Sequence, residues 1–131
     1  MAKAIHAMIR VLDEARSTGF YATALGLAVA DRLDFDDFTL VYLRSPETDF
    51  EVEFTINKGR ETPYALGDGY GHMAFAVDDL AAEHARLTAA GLAPTPIREF
   101  KHSGRFVARL CFLQDPDGYK IELIERHGRY R

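Results

Sequence analysis

Apolar and polar residues alternate with a period of two along most of the chain, and two stretches of helical spacing interrupt that alternation. Residues 4–11 set His6, Met8 and Arg10 on one face and Ile5, Ala7, Ile9 and Val11 on the other, the pattern of a half-buried strand. Asp13 then suits a helix N-cap and Glu14 its first turn. Ala15, Phe20, Tyr21, Ala24 and Leu25 predict a helix that Gly26 closes. Gly19 in its middle weakens that helix by about 1 kcal/mol. Residues 28–33 and 38–43 read as strands joined by the turn Asp34-Phe35-Asp36-Asp37. After the turn Ser45-Pro46-Glu47-Thr48-Asp49, residues 50–57 alternate again, with Glu51, Glu53, Thr55 and Asn57 on one face. This half reads β-α-β-β-β.

Residues 58–71 carry Gly59, Pro63, Gly67, Gly69 and Gly71 and read as a linker. Gly67-Asp68-Gly69-Tyr70-Gly71 leads into a strand, so the helix N-terminus that would hold a phosphate is missing. The chain then repeats itself. Residues 72–77 form a strand pattern, Asp79 a cap, and residues 80–90 a helix pattern closed by Gly91. Further strands are expected near residues 93–97, 105–113 and 119–124. His6 and His72, Val11 and Val77, and Asp13 and Asp79 share one offset, and Glu53 and Glu122 correspond within a few residues of it. An internal repeat decides the fold before any single motif does. The expectation is an α+β chain of two βαβββ modules, about 4–57 and 72–125, within one domain spanning 1–131.

Asp115-Pro116-Asp117-Gly118 is a turn sequence, because Pro presets φ and Gly tolerates φ > 0. The strand that follows puts Lys120, Glu122 and Ile124 on one face, while Ile121 and Leu123 look toward a core. A carboxylate at such a place is costly without a partner or a metal. His6, His72, Glu122 and a glutamate of residues 50–57 recur at matching places in both modules. Two imidazoles and two carboxylates suit a divalent ion that leaves positions open for water or substrate. Spacing alone leaves Glu51 and Glu53 as rivals for the fourth place.

Composition narrows the remaining classes. With 47% hydrophobic and 27% charged residues the chain is an ordinary soluble globular one. A net charge of −4 argues against nucleic acid as a partner, and the basic Lys101, Arg105 and Arg109 are expected on a solvated face. Cys111 is the single cysteine, set in an apolar run as a small hydrophobe. No run approaches the ~18 apolar residues of a membrane span, so the expected compartment is the cytoplasm. No serine sits in a nucleophile elbow. His84, His102 and His127 are expected as exposed polar residues and residues 128–131 as a frayed tail.

The segments Ile5-His6-Ala7-Met8-Ile9-Arg10-Val11, Glu53-Phe54-Thr55-Ile56-Asn57-Lys58-Gly59, Gly69-Tyr70-Gly71-His72-Met73-Ala74 and residues 115–125 resemble glyoxalase I, the lactoylglutathione lyase family of the vicinal-oxygen-chelate superfamily. The resemblance implies a glyoxalase/bleomycin-resistance-like fold paired across a homodimer. It implies metal ligands His6, Glu53, His72 and Glu122, deciding for Glu53 over Glu51, and contacts of Arg10 and Asn57 with glutathione as co-substrate. His6 and Glu53 would come from one chain and His72 and Glu122 from the other. The implied reaction turns the methylglyoxal–glutathione hemithioacetal into S-lactoylglutathione. Metal chelation of two adjacent oxygens stabilises the enediolate, and a carboxylate moves the proton between carbons. Glu122 is the expected base, with Glu53 as its symmetric counterpart. Short family members prefer nickel or cobalt, and zinc also fits these ligands. Two features depart from the family: Lys58 stands where an aromatic residue is common, and residues 98–106 replace a glycine- and lysine-bearing loop, with Lys101 a candidate for its role. Rival readings are an acyl-CoA epimerase or dioxygenase of the same superfamily, or a drug-binding resistance protein.

Overall fold

The computed structural model describes residues 1–131, and contacts divide them into two compact units, Met1–Ala65 and Leu66–Arg131. In the first unit the Asp13 side chain accepts a hydrogen bond from the Arg16 backbone N–H at 2.8 Å. That cap starts α1 (Glu14–Leu25), which stops where Gly26 turns to φ 67°, a left-handed conformation that suits glycine. The helix runs through Gly19 without a break. It connects β1 (His6–Arg10) to β2 (Ala28–Asp34), followed by β3 (Phe38–Arg44) and β4 (Glu51–Asn57). The sheet order is β1-β4-β3-β2, so the first strand lies beside the last, and parallel to it. Tyr21 and Phe54 are fully buried with ring centroids 5.1 Å apart. Each ring contributes about 1.5–3 kcal/mol by leaving water. Glu14 grips Arg32 through two bonds of 2.6 and 3.0 Å, which ties α1 to β2.

The second unit repeats the plan with β5 (Met73–Val77), α2 (Leu80–Ala89), β6 (Arg98–His102), β7 (Arg105–Gln114) and β8 (Lys120–Glu125), in the order β5-β8-β7-β6. Asp79 caps α2 by accepting from Ala82 N–H at 2.9 Å, and Glu125 adds a second bond to Leu80 N–H. Its core is Leu80, Leu87, Ala108, Cys111, Leu113, Ile121 and Leu123. Ile121 and Leu123 point inward as the alternation requires, and Ile124 is buried as well. The α+β arrangement of two βαβββ modules is the one the repeat predicts.

Three expectations need correction. The strand expected near residues 93–97 lies instead at Arg98–His102. Pro94 and Pro96 have no N–H for a sheet ladder, whereas Ser103 and Gly104, both at positive φ, form the tight turn that pairs β6 with β7. Lys101 and His102 therefore stand on a strand and not in a loop. Residues 128–131 are not frayed: His127 and Tyr130 exchange two backbone hydrogen bonds and the Arg131 side chain bonds Gly128 O. His84 is half-buried, its Nε2 2.9 Å from Thr95 O. That contact fastens α2 to the segment preceding β6.

Candidate functional site

In the first module the parallel pairing of β1 with β4 sets His6 opposite Glu51 and Met8 opposite Glu53. His6 Nε2 nevertheless lies 3.1 Å from Glu53 Oε2. The Glu51 carboxylate instead lies 3.8 Å from Arg44. Glu53 is buried at 8% exposure. Across the antiparallel β3–β4 ladder Tyr42 stands opposite Glu53, and its ring meets the His6 ring edge-on at 6.0 Å. Burial pushes the Tyr42 phenol above its ordinary pKa, and the neighbouring Glu53 carboxylate pushes it further. Arg10 shares the exposed face of β1 with His6. Asn57, at the end of β4, donates through Nδ2 to the Tyr64 hydroxyl at 2.9 Å, and the Arg60 guanidinium covers the Tyr64 ring at 4.2 Å.

The second module builds the same arrangement. His72 immediately precedes β5, whose parallel neighbour β8 carries Glu122. His72 Nε2 lies 3.1 Å from Glu122 Oε2. Phe112 takes the place that Tyr42 holds, opposite Glu122 on the β7–β8 ladder and edge-on to His72 at 5.4 Å. The start of β8 is set by the Asp115 turn. The Asp115 carboxylate accepts from the backbone N–H groups of Asp117 and Tyr119 at 2.9 Å, and Gly118 sits at φ 96°. The Tyr70 hydroxyl adds a bond to Lys120 O. His72, Tyr70, Phe112, Gln114, Lys120 and Leu66 line a cleft of about 850 Å³ in this unit.

The donors fit a metal ion. Nitrogen and carboxylate oxygen ligands sit ~2.1 Å from an ion such as zinc, so two adjacent ligands on one ion lie about 3.0–3.4 Å apart. Both His–Glu pairs have that separation. No three His, Cys, Asp or Glu side chains of the chain group to hold a metal. The remaining candidates have other occupations. Lys58 pairs with Asp34 at 3.0 Å, and Lys101 with Glu99 at 3.3 Å. His102 is exposed, His127 rests edge-on against Phe106, and Cys111 is buried with its thiol pKa pushed up by that burial. The sequence reading missed Tyr42 and Phe112. Their signal was the aromatic residue at matching places in the third strand of each module, but cross-strand register is what aims them at the carboxylates.

The chain belongs to the Glyoxalase/Bleomycin resistance protein/Dioxygenase superfamily, whose family model matches residues 3–123. It is similar to the lactoylglutathione lyase of Neisseria meningitidis, 38% identical over 129 residues, which cover 93% of this chain and 89% of that one. The lactoylglutathione lyase of Salmonella typhimurium is 37% identical over 125 residues, 92% of this chain and 90% of that one. Among solved structures, the trypanothione-dependent glyoxalase I of Leishmania major superposes with a TM-score of 0.76 at 36% identity, covering 95% of this chain and 87% of that chain. No helix is long and apolar enough to cross a membrane.

Proposed function

We propose that the protein is a lactoylglutathione lyase, a cytoplasmic homodimer that isomerises the methylglyoxal–glutathione hemithioacetal to S-lactoylglutathione. The observation that carries this reading is the same His–Glu pair, at 3.1 Å, in both modules. Relatives of that name, similar over nearly the whole chain, support it. His6 and Glu53 of one subunit, with the partner subunit's His72 and the partner subunit's Glu122, hold a divalent ion, nickel or cobalt in preference to zinc. When bound, the ion supplies Lewis-acid stabilisation for negative charge building on two adjacent substrate oxygens.

The chain's own residues supply the rest. The Glu122 carboxylate takes the proton from the carbon bearing sulfur and returns it to the neighbouring carbon, so that it ends as it began. Phe112 opposite Glu122 presents an apolar ring that keeps water from that transfer. Arg10 binds a glutathione carboxylate bidentately. Asn57, already donating to Tyr64, keeps a second N–H and its carbonyl oxygen for a peptide unit of the thiol.

The test reloads apoprotein separately with nickel, cobalt and zinc and measures hemithioacetal isomerisation, with glutathione and trypanothione as alternative thiols. Activity that returns with nickel or cobalt and is lost in Glu122→Gln supports the reading. Stoichiometric metal binding without turnover on either thiol refutes it and moves the chain to another reaction of its superfamily.

A further inference from the structure

The last strand of the first module ends on Asn57, and residues 58–64 fold back onto that side chain. Gly59 at φ 79° allows the reversal, and the Arg60 backbone N–H donates to Asn57 O at 3.3 Å. The Arg60 guanidinium then donates through Nε to Thr62 O at 2.7 Å and through Nη2 to Pro63 O at 3.1 Å. Its carbon lies over the Tyr64 ring, 4.2 Å from the centroid. Half-buried Tyr64 thereby brings its hydroxyl to 2.9 Å from Asn57 Nδ2. The second module has a different arrangement at this place. By the offset that relates Glu53 to Glu122, Asn57 corresponds to Arg126, whose guanidinium pairs with Asp78 at 2.8 Å.

We propose that Tyr64 is a positioning residue that holds the Asn57 amide ready for a peptide unit of the thiol, and that Arg60 in turn holds Tyr64. The inference rests on the thiol-binding role proposed for Asn57. An asparagine amide at a strand end turns about its side-chain bonds, and a ligand that needs one orientation must stop that rotation at a cost. The bond to Tyr64 stops it before the ligand arrives. It also occupies one N–H, so the amide is left with one donor and its carbonyl acceptor. That combination matches a peptide unit, which offers one acceptor and one donor. A carboxylate, which only accepts, leaves the carbonyl oxygen without a partner. Arg60 keeps this geometry by fixing the two carbonyls before Tyr64 and covering its ring.

The experiment uses full-length, nickel-loaded protein as wild type, Tyr64→Phe, Asn57→Ala and the double variant. Calorimetry gives Kd for S-hexylglutathione, and hemithioacetal turnover gives kcat and KM. Phenylalanine keeps the ring that Arg60 covers and removes only the hydroxyl. Tyr64→Phe should raise Kd and KM about fivefold and leave kcat within about twofold, because the contact holds ground state and transition state alike. In the Asn57→Ala background the same substitution should change Kd by less than about twofold. Arg60→Gln should raise Kd when Tyr64 is present and not when it is replaced by phenylalanine. A merely structural role for Tyr64 predicts the same loss of affinity with and without Asn57. Tyr64→Phe that binds S-hexylglutathione like wild type, or that loses affinity equally in both backgrounds, overturns the proposal. Wild type that binds S-hexylglutathione but does not isomerise the hemithioacetal overturns the reaction, and the affinity cycle still decides whether Tyr64 positions Asn57. Wild type that does not bind S-hexylglutathione overturns both.

Discussion

Replacing Glu122 with glutamine tests the proposed proton-transfer step. The side chain is 13% exposed, and its Oε2 lies 3.1 Å from His72 Nε2. Its strand neighbours Ile121 and Leu123 point into the core on the opposite face. Glutamine keeps the volume and one carbonyl oxygen, so the register with Phe112 survives. What disappears is the negative charge and the basic oxygen. An amide does not accept a proton at neutral pH, so the full contribution of general-base catalysis is lost, about 10²–10⁴-fold in kcat. That corresponds to roughly 3–5 kcal/mol in the barrier. The neutral oxygen is also a weaker ligand, so turnover must be measured at nickel concentrations that saturate the variant. The assay follows thioester product, with circular dichroism as the check on folding. A folded, nickel-saturated Glu122→Gln with kcat within tenfold of wild type would refute Glu122 as the base.

Other substitutions test the neighbouring assignments. Glu51→Gln removes a carboxylate held at 3.8 Å from exposed Arg44, so nickel affinity by chelator competition should stay within about threefold of wild type, exposed pairs being weak; Glu53→Gln should cost about 100-fold in the same assay. Leu123→Ala opens a cavity at a side chain only 1% exposed and should destabilise by about 2–5 kcal/mol in urea unfolding. Asp34 is held below the usual carboxylate pKa by the Thr39 hydroxyl first and Lys58 next. A carboxyl depressed in the folded state stabilises above its unfolded pKa and loses that contribution as pH falls through its folded value. Wild type should therefore exceed Asp34→Asn in stability at neutral pH, and the gap should close on acidification below about pH 4. A gap that widened in acid would contradict the sign.

The parts of the fold that depend on local chemistry were legible in the chain itself. Asp13 and Asp79 cap the helices as their positions suggest, and Gly26 and Gly91 sit at positive φ where each helix ends. Strand faces followed the period of two, which is why His6 and Arg10 emerge on one exposed face. What depends on pairing was not legible. Glu51 and Glu53 share a face, so alternation could not separate them; Arg44, reaching Glu51 from a neighbouring strand, leaves Glu53 to His6. The β6 strand was displaced because a charged, exposed pattern at Arg98–His102 carries no apolar signal, while the Ser103-Gly104 turn that defines it reveals itself only through backbone angles. The closing turn at His127–Tyr130 depends on two backbone bonds, which side-chain identity does not encode.

Topology explains why each module yields a histidine and a glutamate in contact although they are far apart in sequence. Parallel neighbours need a crossover between them, and in the orders β1-β4-β3-β2 and β5-β8-β7-β6 the first strand lies parallel beside its own module's last strand. The third strand then lies on the far side of the fourth and runs antiparallel to it. An aromatic residue there faces the glutamate across the ladder while its ring reaches the histidine at the start of the module. Each triplet of histidine, glutamate and aromatic residue therefore follows from the βαβββ order. The two triplets differ in their aromatic residue, Tyr42 opposite Glu53 in the first module and Phe112 opposite Glu122 in the second.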